Sequence, residues 1–74
     1  MKNKIIKYLE TQDFTEDCTG NFVNGELEIS IFTDETGERC FLKCINTIFN
    51  NIDVWSFWTS NYKDFINKFK ILTQ

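Results

Sequence analysis

Period-two alternation framed by turn dipeptides restricts this chain more than any other feature. In Glu26 to Phe32, ELEISIF, Leu27, Ile29 and Ile31 alternate with Glu26, Glu28 and Ser30. That is the pattern of a strand with one face in a core and the other in water. Asn24-Gly25 immediately before it favours positive φ and signals a hairpin, which makes Asn21 to Val23 a partner strand. The run DETGE, Asp34 to Glu38, is a second turn signal, and Arg39 to Ile45 is expected to return antiparallel beside the first long strand. The product is a meander of three or four strands.

The flanks read differently. In residues 2–12, Ile5, Ile6 and Leu9 recur among Lys and Glu as one apolar stripe of a short helix. In NYKDFINKFKIL, Tyr62, Phe65, Ile66, Phe69 and Leu72 repeat at helical spacing. Ser60 or Asn61 can cap that helix, Asp64 sits near the positive end of its dipole, and Lys68 and Lys70 sit near the negative end. The expected class is α+β: a small antiparallel sheet of three or four strands with an N-terminal and a C-terminal helix packed on it. Residues 1–74 read as a single domain. At this length only roughly 60% of the unfolded surface is buried, which leaves no room for a core and a deep pocket together.

DVWSFWTSNY, residues 53–62, crowds two tryptophans and a phenylalanine into four positions. As a strand, Ile52, Val54, Ser56 and Trp58 face one way, and Asp53, Trp55 and Phe57 the other. As a helix, Trp55 and Trp58 share a side and Phe57 points away. Neither geometry gathers all three rings on one face. Either the odd ring packs under the C-terminal helix or a loop, or one ring is exposed and anchors a partner, as Trp often does at interfaces. Trp55 is the candidate anchor, because its same-face neighbour Asp53 prefers water.

Charge is strongly segregated. From Tyr8 to Glu38 there are nine acids and no Lys or Arg, whereas the segments on either side each carry a net +3, so the overall −3 conceals the contrast. A solvated strand face with acid-rich turns is the plainer account. The functional account is an acidic surface, with Glu16, Asp17, Glu26, Glu28, Asp34, Glu35 and Glu38, that docks on a basic surface of another protein and loosens with salt.

Other chemistries fit less well. Cys40 and Cys44, four apart on a strand, lie ~13 Å from each other on one face, too far for a disulfide or a shared metal ion. Only Cys18 remains and there is no His, so no metal site and no cofactor are expected. The turn TDETGE lacks the ordered ligand positions of a calcium loop, and the isolated glycines do not make a phosphate loop. Without a His base or an assignable carboxylate pair, no catalytic residue is expected and the chain reads as a non-enzyme.

Nucleic acid is the competing partner, through sheet aromatics together with Lys43, Lys63, Lys68 and Lys70 and with Lys2, Lys4 and Lys7. Single-stranded binding normally needs a strongly positive track, which ranks this second. A third account is a subunit of a homo-oligomer in which odd aromatics are buried between copies; the expected state is a monomer or a small homo-oligomer.

Phe, Ile, Asn, Lys and Tyr supply 34 of the 74 residues, and Ala, Pro, Gly and Arg only 4, which fits an AT-rich genome such as that of a low-GC bacterium or one of its phages. The segment MKNKIIKYLETQ breaks its apolar run at Lys7 and Glu10, and no window approaches a membrane span, so a cytoplasmic location without membrane contact is expected. The favoured reading is a small protein-binding module of a phage or mobile element, an inhibitor whose acidic surface occupies a basic, nucleic-acid-handling surface of a host protein.

Overall fold

The computed structural model describes residues 1–48 and 51–72, without the side chains of Ile48 and Leu72. The expected place of Leu72 on the apolar stripe therefore lies outside the described side chains. The elements are α1 (Lys2–Thr11), β1 (Thr15–Glu16), β2 (Phe22–Asn24), β3 (Leu27–Thr33), β4 (Cys40–Ile48), β5 (Asn51–Thr59) and α2 (Tyr62–Leu72). The strands form one antiparallel meander in the order β1-β2-β3-β4-β5. The α+β class and both terminal helices match the sequence reading. The sheet has five strands and not three or four.

The extra strands have distinct origins. β1 is a two-residue pairing of Thr15 with Val23 and Glu16 with Phe22, too short to show any alternation of its own. Residues 51–59 form a nine-residue strand in register with β4, Leu42 opposite Phe57 and Phe41 opposite Trp58. This selects the strand geometry for the tryptophan-rich segment.

Partners across a ladder share a face, so the register sorts the side chains. Phe22, Ile29, Leu42, Cys40 and Cys44 point to one side, where they form a single buried cluster with Ile5 and Leu9 of α1, Phe14, and Phe65 and Phe69 of α2. Both helices thus cover the same face of the sheet. Tyr8 joins them edge-on, its ring 5.7 Å from the rings of both Phe65 and Phe69. α1 has lysines and no acid near its N-terminus, against the helix dipole, and with 10 residues it is held chiefly by this packing.

Local chemistry sets the ends. The β2–β3 loop is Gly25-Glu26, and Gly25 alone has positive φ, +58°, the pattern of a type II′ hairpin turn. Of the two candidate caps of α2, Asn61 is the one used: its Oδ1 accepts the Asp64 amide at 2.8 Å. At the end of α1 the Phe14 amide bonds the Leu9 carbonyl at 3.0 Å and the Asp13 amide bonds that of Glu10 at 3.2 Å. Phe14 and Leu9 both enter the core, completing a Schellman-type stop in which Asp13, φ 68°, occupies the position usually given to glycine.

That left-handed aspartate yields a test. Asp13→Gly is expected to raise unfolding stability by about 0.5 kcal/mol and Asp13→Val to lower it by about 1 kcal/mol, read by urea denaturation. Equal stabilities for the two variants would contradict the assigned role.

Candidate interaction surface

With both helices on one side, no element among the described residues covers the other face of the sheet. Alternation places Phe32, Phe41 and Trp58 there in one row, since Phe32 pairs with Phe41 and Phe41 with Trp58. The ring centroids are 6.3 Å apart for Phe32 and Phe41, and 5.2 Å for Phe41 and Trp58. Arg39 lays its guanidinium 4.8 Å from the Trp58 ring centroid. Next comes a polar row of Ser30, Lys43 and Ser56, then Glu28, Ile45 and Val54, with Ile52 beyond. Phe32, Ile52, Val54 and Trp58 are exposed by 53%, 67%, 55% and 44%, so the open face carries an aromatic patch and, across the polar row, an aliphatic one.

The expectation that Trp55 is the exposed ring is corrected. Trp55 is half-buried and packs against the core cluster, and its Nε1 is buried without a hydrogen-bond partner among the described residues. Asp53 does share its face, but lies farther along β5 and is exposed there. A polar neighbour two residues away reported the end of the covered region and not the state of the ring. The exposed tryptophan is Trp58. Its signal, like that of Phe32 and Phe41, was parity: each follows or precedes a core residue and so falls on the opposite face.

The acids do not converge. Glu26 sits in the loop at one end of β3, and Asp34, Glu35 and Glu38 lie in the turn at its other end, ~25 Å away along the strand. Glu16 lies on the outer strand β1, and Glu28 is on the open face accepting Asn21 Nδ2 at 2.7 Å. Asp17 and Asp34 serve their own turns. Asp17 accepts the Thr19 hydroxyl at 2.6 Å, the Thr19 amide at 2.9 Å and the Asn21 amide at 3.0 Å. Asp34 accepts the Thr36 hydroxyl at 3.0 Å and the Arg39 amide at 3.3 Å. Among the described residues, the side chains of Glu16, Glu26, Glu35 and Glu38 make no hydrogen bond or ion pair. Glu35 and Glu38 belong to the hairpin turn next to the aromatic row.

The cations divide as well. Lys4 and Lys7 line a shallow groove of about 410 Å³ with Tyr8, Thr11 and Tyr62 on the helical side. Lys68 is bound to Asp64 at 3.0 Å and donates to the Trp58 carbonyl at 2.8 Å. Arg39 and Lys43 accompany the exposed aromatics on the open face.

The cysteines are unpaired, Cys18 exposed and Cys40 and Cys44 buried. Burial pushes the Cys44 thiol up to about 11 and also raises Cys40, so neither is a ready nucleophile near neutral pH. Among the described residues no group of three or more His, Cys, Asp or Glu could hold a metal ion, and no helix is long and apolar enough to cross a membrane. Comparison with known proteins matched no family model, no curated protein and no solved structure.

Three carboxyls titrate below their ordinary value of 3.8. The Thr19 hydroxyl, against some desolvation, lowers Asp17. Partial desolvation raises Asp34, but the Arg39 amide and Thr36 hydroxyl outweigh it. Lys68 and the Thr59 hydroxyl lower Asp64. Groups depressed on folding stabilise the fold above the unfolded value and lose that contribution as pH falls through the folded values. Melting temperature is therefore expected to hold steady from neutral pH down toward 3.8 and to drop below it, with a smaller drop in Asp17→Asn and Asp34→Asn; a drop of unchanged size in both variants would exclude these turns as the cause.

Proposed function

We propose that this protein is a small non-catalytic protein-binding module that docks through its open sheet face. The carrying observation is the row Phe32, Phe41 and Trp58, its two outer rings exposed, on a face that no element among the described residues covers. Aromatic rings rimmed by charge are the usual make-up of a binding hot spot. Glu35 and Glu38 stand on the turn that adjoins the row, so a partner with apolar pockets beside basic residues is complementary to it. In that arrangement the rings supply affinity and the two acids steer the approach.

The finer reading is an inhibitor, of the kind a phage or mobile element encodes, that occupies a basic, nucleic-acid-handling surface of a host protein. The uncompensated acids from Tyr8 to Glu38 and the small, pocket-poor fold support it. Glu35, Glu38 and Glu28 are the acids best placed to act with the aromatic row; Glu16 and Glu26 lie away from it, and Asp17 and Asp34 act through the turns they shape.

Single-stranded nucleic acid is the second reading, favoured by Arg39 stacked on Trp58 and by Lys43 in the next row. It ranks lower because Lys4 and Lys7 line the groove on the helical side, Lys68 is engaged by Asp64, and the cationic track beside the exposed rings is short.

The test is affinity capture from nuclease-treated lysate with the wild type, with F32S/W58S, and with E35Q/E38Q. The aromatic variant is expected to keep its melting temperature and lose about 30-fold in affinity for the captured protein. The acid variant is expected to bind more slowly at low salt with an unchanged dissociation rate. Full retention of the partner by the folded aromatic variant would refute the open face as the docking surface. Salt-sensitive quenching of Trp58 by a single-stranded oligonucleotide would put the second reading first.

A further inference from the structure

The two edges of the sheet are unequal. One is the two-residue strand β1; the other is β5, nine residues long with no proline and one charged residue, Asp53. Antiparallel pairing turns the backbone of alternate residues outward. Trp58 is one of these, since its carbonyl receives Lys68 from outside the sheet at 2.8 Å; by alternation Ile52, Val54 and Ser56 are the others. Beyond the Lys68 contact, their outward amides and carbonyls meet no other element among the described residues, and a long strand left so is a template for another strand.

We propose that this edge is a self-association surface, pairing antiparallel with β5 of a second copy about a two-fold axis at Trp55. Charge selects both occupant and register. The Lys68 ammonium lies 5.8 Å from the Phe57 ring centroid, and Asp53 is exposed on the same face of the strand as Phe57. If Val54 of one copy pairs with Ser56 of the other, Asp53 of each copy stands directly opposite Phe57 of its mate, with Cβ atoms ~5 Å apart, beside Lys68. The complementarity then occurs twice, once on either side of the axis, as a two-fold interface requires.

The same register exchanges main-chain bonds between Val54 and Ser56 in both directions and leaves the Trp58 carbonyls to Lys68. It also covers a groove of about 260 Å³ lined by Trp55, Ser56, Phe57, Lys68 and Ile71. Ile71 is 73% exposed without such a cover. A slip of two residues removes Asp53 from Phe57 and forfeits both charge pairs. A strand of unrelated sequence has no fixed acid at that position, which is why a second copy fits better than an arbitrary peptide. The association does not depend on what the open face binds.

Sedimentation equilibrium of the full chain over a wide concentration range tests the proposal. The expected result is twice the 8.8 kDa chain mass at high concentration, falling on dilution. Asp53→Lys and Lys68→Glu should each weaken dimerisation about tenfold, and the double variant D53K/K68E should recover most of the loss. Val54→Pro, which removes an outward amide and leaves the core face untouched, should abolish it. Near-UV circular dichroism checks folding; if Lys68→Glu or Val54→Pro does not fold, Asp53→Lys alone decides. A mass of 8.8 kDa at every concentration, or a dimer indifferent to folded Asp53→Lys, overturns the proposal, the second outcome assigning association to another surface.

Discussion

A single buried hydroxyl determines how this molecule presents itself. Thr59, 1% exposed at the end of β5, shares its hydroxyl between the Asn61 carbonyl and the Asp64 carboxylate, each at 3.0 Å. Lys68 completes the joint by bridging Asp64 to the Trp58 carbonyl. Each such bond contributes only about 1 kcal/mol net, but together they fix the direction in which the chain leaves the sheet. α2 must fold back over the side that carries Leu42, where Phe65 and Phe69 meet α1. One helical layer can cover only one side of a sheet, so the bare face with Trp58 follows from the same joint.

This dependence explains what could be read from the chain and what could not. The β3–β4 hairpin was legible because Leu27, Ile29 and Ile31 report a buried face directly and DETGE marks the turn. α2 was legible because Phe65, Ile66 and Phe69 keep helical spacing between a capping Asn61 and basic residues. β1 left no trace, since its two residues acquire strand geometry only by pairing with β2. The choice between Trp55 and Trp58 failed for a related reason. Alternation divides β5 into two faces correctly, but which face meets the helices depends on the register with β4, and hence on Leu42 pairing with Phe57. Asp53 shares the parity of Trp55 and is wet because the core ends before reaching it.

The acidic stretch shows the same limit. Nine acids without a counter-charge suggest a patch only if the chain keeps them together. A meander instead carries successive turns to opposite ends of the sheet, so Glu26 and Glu38 are near in sequence and far apart in space. Two of the acids then act inward: Asp17 and Asp34 each gather amides and a hydroxyl into one turn, stiffening the ends of β1, β3 and β4. The full negative charge remains but is spread over both ends of the sheet, and what adjoins the aromatic row comes from the turn of Asp34, Glu35 and Glu38.

Face and edge meet on the same residues of β5. Val54, Ser56 and Trp58 send their side chains to the bare face and their backbone groups into the plane of the sheet, directions at right angles to each other. Docking on the face and pairing at the edge therefore draw on different atoms and can coexist. Pairing two copies at this edge would set two bare faces side by side on one ten-stranded sheet, bringing Ile52 of each copy opposite Trp58 of the other. A partner touching both halves would gain by multivalency without any new type of contact. Lys68, in capping the Trp58 carbonyl, would limit how far such pairing extends along the strand.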